Sequence, residues 1–238
     1  MLHLLSWSCN IGRYSEIIIG LLVGEIMLLP FYSSTWLVLL TVLVIPVSVQ
    51  AGEAEGERLF AQCIACHGAK GEGSAAAQAP ALAGQDSDYI IRQLNHFKAG
   101  VRGAAPSDVL GGQMRAMTAV LNSDQSIADV ASYIASLSPV AIAVKAEGDL
   151  RNGNNVYQGN CGSCHGGKGQ GNSALNSPRL AGLDRDYLRR QFDHFRDGLR
   201  GGHPDDRFGR QMSMMAKSLS SEKDLDDVIA YIHSQANQ

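Results

Sequence analysis

The chain joins one long apolar run to a series of short amphipathic segments. Residues 17–49 are mostly apolar, with Glu25 as the only charge and Pro30 and Pro46 as interruptions. The stretch from Trp36 to Val49 has the length of a signal-peptide core, and Val49-Gln50-Ala51 places small residues where a signal peptidase would read them. This predicts a leader over residues 1–51, cleaved after Ala51. The rival reading is an uncleaved anchor, because the same segment with its upstream neighbours is long enough to span a bilayer. Beyond Ala51 the apolar positions recur at helical spacing. A short helix is expected over Gly56–Cys66. A second is expected over Asp88–Ala99, with Tyr89, Ile90, Leu94 and Phe97 on one face and Gly100 as its stop. A third is expected over Asp124–Leu137, with Ile127, Val130, Ala131, Ile134 and Leu137 inward. Asp224–Ser234 repeats that pattern with Leu225, Val228, Ile229 and Ile232. No segment alternates at period two for long enough to be a strand, so the fold class is all-α.

The helices belong to a tandem repeat. Cys63-Ile64-Ala65-Cys66-His67 returns as Cys161-Gly162-Ser163-Cys164-His165, and the offset of 98 then holds to the end of the unit. Pro80, Leu82 and Gly84 match Pro178, Leu180 and Gly182. Tyr89, Gln93, His96, Phe97 and Arg102 match Tyr187, Gln191, His194, Phe195 and Arg200. Gly56 and Phe60 match Gly153 and Tyr157 at an offset of 97. Two copies of one domain are expected, over residues 52–140 and 141–238, with a linker near Ser138–Gly148. Units this small have a thin core, which a large apolar group in the middle would fill.

Composition narrows the function. Charged residues make up 18% of the 238, and the formal net charge is −3. With no basic excess, a nucleic-acid partner has no electrostatic support. Five cysteines are too few for a disulfide scaffold, and four of them lie in the repeated motif.

That motif, C-x-x-C-H, is the attachment signal of c-type haem. Two thiols one helical turn apart reach the two vinyl groups of one porphyrin, and the adjacent imidazole meets the iron. A thioredoxin-like redox pair belongs in a βαβ setting that is absent here. A zinc site needs further ligands at matching spacing, and neither unit has them. The motif therefore assigns two covalent haems, on Cys63 and Cys66 and on Cys161 and Cys164, with His67 and His165 as proximal iron ligands. For the sixth ligand, a thioether raises the potential and suits an electron carrier. Met114 and Met212 precede Leu121 and Leu219 by the same seven residues, which places them in a loop before the last helix, free to approach the ring. Met117 and Met215 are the alternatives, read as packing. His96 and His194 would give low-potential bis-His centres as ligands, but inside an amphipathic helix they read better as surface or inter-domain groups. Tyr89, Tyr187, Tyr133 and Tyr231 are assigned to pocket walls or core. Arg102 and Arg200 could meet a haem propionate or be solvated. Lys70-Gly71 and Lys168-Gly169 read as turns.

With its two C-x-x-C-H motifs, its P-x-L-A-G segments, its Tyr-x₃-Gln helices and a Met before each last helix, the exported part resembles the dihaem class I cytochromes c of the cytochrome c4 type. The resemblance covers about residues 53–236. It implies two small α-helical domains related by a pseudo-twofold axis, His/Met iron in each, a periplasmic location and electron delivery toward a terminal oxidase. In that pattern the axial thioethers fall at Met114 and Met212. The extra Met117 and Met215 and the long apolar leader depart from it.

The first reading of function is a mobile or tethered electron carrier with redox partners of the cytochrome oxidase, bc1-type complex or dehydrogenase kind. The second is the cytochrome subunit of a periplasmic dehydrogenase. A dihaem peroxidase ranks a distant third, because it would need the two units to differ at the sixth ligand and here they match. Charge is uneven: residues 52–140 carry nine acids against six bases, net −3, and residues 141–238 carry twelve against thirteen, net +1. The arginines of Arg179–Arg210 could orient the protein on its partners or form ordinary solvated faces.

Overall fold

In a computed structural model, residues 47–140, 147–219 and 221–236 are described, the first five of these by backbone alone. The apolar leader up to residue 46, and with it the question of cleavage or anchoring, lies outside the described residues, as does part of the linker. Among the described residues no helix is long and apolar enough to cross a membrane.

The helices are α1 (Val47–Phe60), α2 (Ile64–His67), α3 (Ser87–Lys98), α4 (Val109–Met117) and α5 (Asp124–Ser136), then α6 (Leu150–Asn160), α7 (Gly162–His165), α8 (Arg185–Arg196), α9 (Arg207–Ser218) and α10 (Glu222–Ser234). The second five repeat the first five in order. No strand occurs among the described residues; each unit has one isolated bridge, Ser74 to Ala79 and Asn172 to Ser177.

In each unit the first helix packs on the last, α1 on α5 and α6 on α10. Glycine permits the close crossing. A Cβ at Gly56 would lie 2.3 Å from the Asp129 carbonyl oxygen, and one at Gly153 would lie 2.0 Å from that of Asp227. One turn on, Phe60 stacks at a tilt on Tyr133 (5.4 Å) and Tyr157 on Tyr231 (5.2 Å). Tyr157 is fully buried, and Tyr133 and Tyr231 pack half-buried against the two cores, one of the two places the sequence left open for them. Phe60, Ile127, Val130 and Ile134 close the first core; Tyr157, Val228 and Ile232 close the second. Each such side chain contributes roughly 1.5–3 kcal/mol on burial.

The helix starts have side-chain caps. Asp86 accepts from Tyr89 N, Asp184 from Tyr187 N, and Ser123 and Ser126 form a reciprocal capping box. Two expectations are corrected. The helix expected over Gly56–Cys66 is interrupted: α1 ends at Phe60, a turn intervenes, and α2 begins at Ile64. The turn frees Cys63 to start a new helical turn through its carbonyl, which accepts from Cys66 N and His67 N. Met114 and Met212 lie on helices α4 and α9, not in a loop. The buried carboxylates of Asp108 and Asp206 cap these helices by accepting from Gly111 N and Gly209 N. Gly111 and Gly209 are required there, since a Cβ on either would strike its capping carboxylate at 2.1 or 2.0 Å.

Candidate functional site

The C-x-x-C-H segments form short helices whose first cysteine is half-buried and whose second is exposed. Burial, with a smaller contribution from Cys66, pushes the Cys63 thiol up; burial and Cys164 push the Cys161 thiol up to about 11. Both motif histidines are buried, at 5% and 6% exposure. His67 Nδ1 lies 2.9 Å from the Pro80 carbonyl, and His165 Nδ1 lies 3.0 Å from that of Pro178. A carbonyl only accepts, so Nδ1 carries the proton and Nε2 keeps its lone pair, the tautomer that a metal-binding imidazole requires. Burial holds both histidines below their ordinary value, against the proline hydrogen bonds, so they are neutral near pH 7.

The proline carbonyl is held in place by the turn after each motif. Gly73 N donates to His67 O, and Leu82 N and Ala83 N both donate to Gly71 O. The second unit repeats this with Gly171, Leu180, Ala181 and Gly169. Gly71 and Gly169 adopt positive φ, so Lys70-Gly71 and Lys168-Gly169 are turns, as read from sequence.

A cleft opens beside the first motif. Cys63, Cys66 and His67 line one side; Met114 and Met117 line it from α4. Leu82, Ile90, Leu94 and Phe97 supply apolar wall, and Tyr187, Arg190 and Gln191 reach in from the second unit. Its free space is about 1360 Å³ with the open mouth included. Met114 is half-buried, whereas Met117 is 45% exposed. Met212 and Met215 show the same contrast, the latter 42% exposed. An apolar cleft, two thiols at its edge, a buried imidazole with a free nitrogen and thioethers along its wall fit a covalent haem.

Between the units lies a polar ring that sequence reasoning only half anticipated. Gln93 Oε1 accepts from Arg102 Nη1 (2.8 Å) and Arg200 Nη2 (2.8 Å). Gln191 Oε1 accepts from Arg102 Nη2 (2.8 Å) and Arg200 Nη1 (2.9 Å). Each amide oxygen thus serves one guanidinium from each unit. Both arginines are buried, and each lies over the phenylalanine of its own unit, Arg102 on Phe97 and Arg200 on Phe195. The solvated reading of these arginines is therefore wrong. Neither pairs with a carboxylate within 4 Å among the described residues, and Arg200 Nε is buried without a partner. Such a donor set suits an anionic group. The repeat of Arg102 and Arg200 was visible in the sequence; their meeting across the interface was not. Further contacts cross it: Gln85 brackets the Arg179 backbone, and Arg92 donates to Asn176.

Comparison with known proteins follows this geometry. The family model described as Cytochrome c matches twice, over residues 53–138 and 150–236. Cytochrome c4 of Azotobacter vinelandii is 36% identical over 204 residues, which is 82% of this chain and 94% of the relative. The chain belongs to the cytochrome c family, as a dihaem member of the cytochrome c4 type. A crystal structure of reduced recombinant cytochrome c4 from Pseudomonas stutzeri superposes with a TM-score of 0.63 at 32% identity, covering 76% of this chain and 96% of that one. A relative from Stutzerimonas stutzeri (strain A1501), named thiosulfate dehydrogenase electron acceptor, is 32% identical over 194 residues, 74% of this chain and 84% of its own. Two tandem cytochrome c domains, two covalent haem c groups and a role as electron carrier rather than enzyme follow for this cytochrome. Haem supplies the redox couple. The protein supplies the thiols that fix it and an apolar cleft beside the first pair.

Proposed function

We propose that this cytochrome works in the periplasm, taking electrons from a respiratory donor such as a bc1-type complex and passing them to an acceptor such as a terminal oxidase. His67 and Met114 would hold one iron, and His165 and Met212 the other. The observation that carries this reading is the first cleft, which His67, with its Nε2 lone pair free, and the thioethers of α4 line together. Met114 is chosen over Met117, and Met212 over Met215, because the first of each pair is the more buried. The buried guanidiniums of Arg102 and Arg200 receive haem propionates. The first 51 residues act as an export signal or a membrane anchor, and domains 52–140 and 141–238 each hold one haem.

Spectroscopy on protein matured with its haem tests the ligand set. Two low-spin haems per chain with the weak far-red Met-to-iron band are expected. Met114→Ala and Met212→Ala should each remove that band from one haem, while Met117→Ala and Met215→Ala leave it. The reverse pattern would reassign the ligands.

A second reading has the cytochrome accept electrons from a dehydrogenase of the thiosulfate-oxidising class. The relative named as an electron acceptor of thiosulfate dehydrogenase favours it. Reduction by such a dehydrogenase with thiosulfate, measured against the bc1-type donor, separates the two.

A further inference from the structure

His96, like its repeat His194, is a motif residue that the electron carrier, as described so far, leaves without a task. It sits on α3 at the domain interface, and its side chain is 14% exposed. Its Nδ1 is buried with no hydrogen-bond partner. That nitrogen faces Asp206 of the second domain, 3.9 Å from Oδ1, and the Asp206 side chain is only 7% exposed. Asp206 is the cap of α9, the helix that carries Met212. A neutral imidazole offers the carboxylate at most an N–H dipole at that distance, whereas a protonated one gains an ion pair across the interface. The arrangement is partly reciprocal, because His194 of α8 faces Asp108, the cap of α4. Of the two, His96 alone lies within ion-pair distance of a carboxylate among the described residues.

The surroundings of His96 are cationic. Arg92 on its own helix, Arg102 in the following loop and Arg200 from the second domain all face it, and Asp206 is the opposing acid. Burial holds His96 below the ordinary histidine value; Asp206 pulls it up and the three arginines push it down. Any negative charge arriving between these groups shifts the balance toward the imidazolium. Arg102 lines the first haem cleft and bonds to both glutamines, so an electron entering there is felt by the same set of charges.

We propose that His96 is a redox-linked proton site: an electron received from the donor is accompanied by partial uptake of a solvent proton at Nδ1, held by Asp206, and both are released when the acceptor takes the electron. His96 is a positioning residue for charge and not an iron ligand. The influence of Asp206 on the Met212 helix rests on the ligand assignment above; the proton linkage at His96 does not.

Two measurements on the full holoprotein test this. Nuclear magnetic resonance of the His96 ring gives its titration in the reduced and oxidised forms, and redox titration gives both midpoint potentials between about pH 5 and 8, where histidines change charge. Reduction should raise the proton affinity of His96 about threefold or more, as expected for partly screened unit charges. Potentials should fall with rising pH across that window. His96→Gln should abolish this slope. Asp206→Asn keeps the cap but removes the charge, and should lower the His96 pKa by about one unit or more. An unchanged slope in His96→Gln, or an identical His96 titration in both redox states, overturns the proposal. If His96→Gln fails to mature, the wild-type titrations and Asp206→Asn still decide. The Met-to-iron band recorded on the same samples reports the ligand set separately, so failure of either reading is recognised on its own.

Discussion

At the scale of single residues, glycine sets the tightest constraints. Gly56 and Gly153 place the backbones of crossing helices in contact, and the atom that a Cβ would meet is a carbonyl oxygen, which cannot rotate away. Gly56→Ala or Gly153→Ala should therefore cost about 1–3 kcal/mol or more, through forced separation of the helices. Chemical denaturation of each variant, with haem content checked, measures it. Gly159, with nothing near its Cβ position, should tolerate alanine and gain slightly, since alanine is the better helix former. The residue scale is also where the sequence was most legible. C-x-x-C-H names its cofactor because thioether chemistry allows little variation in spacing. The choice between Met114 and Met117 was less legible. Three residues apart on a helix they share a face, and only their unequal burial separates them.

At the scale of elements, the two domains are copies with different reinforcement. In the second, Asp227 on α10 accepts from the backbone N–H of Asp149 and the side chains of Asn152 and Lys223. Those bonds, led by Lys223 and Asn152, lower its carboxyl to about 2. A carboxylate held below its unfolded value stabilises the fold fully above about pH 4 and loses that contribution as pH falls toward 2. The α6–α10 pair should thus lose stability on acidification over that range. Asp227→Ala should cost about 1–3 kcal/mol near neutrality and flatten this acid dependence. Denaturant midpoints taken across pH read both. A ladder of ion pairs, Arg189 and Arg196 with Glu222 and Asp226, also joins α8 to α10. Being partly exposed, each pair should contribute under about 1 kcal/mol and weaken with salt, so Arg189→Ala should change the midpoint little. Helices α3, α5 and α10 were legible because of their apolar stripes, and α8 because the repeat places it opposite α3. Helices α4 and α9 were not. Gly111, Gly112 and Gly209 count against helix by propensity, and only the cap geometry shows why two of them are needed.

At the scale of the whole molecule, the arginines between Arg179 and Arg210 turn out to be mostly engaged within the protein. Arg185, Arg189 and Arg196 pair with acids of the same domain, Arg190 donates to the Gln78 carbonyl across the interface, and Arg200 is buried in the polar ring. Net charge by segment therefore overstated what a partner would meet. The ring itself was beyond reach of the sequence, because nothing in a repeat says that its copies face each other. Gln93→Ala should leave donors of both guanidiniums unpaired and cost about 2–3 kcal/mol. Calorimetry should then show the two domains unfolding less cooperatively, while Gln62→Ala, at the other edge of the cleft, should not separate them.

The ring has a further consequence. Arg102 meets Gln191 as Arg200 meets Gln93, so each repeat presents to the other the patch it receives. A surface that fits its own duplicate meets the condition for an isologous pair. Joined in one chain, the two patches meet at a fixed high effective concentration, so their contact does not depend on how much protein is present.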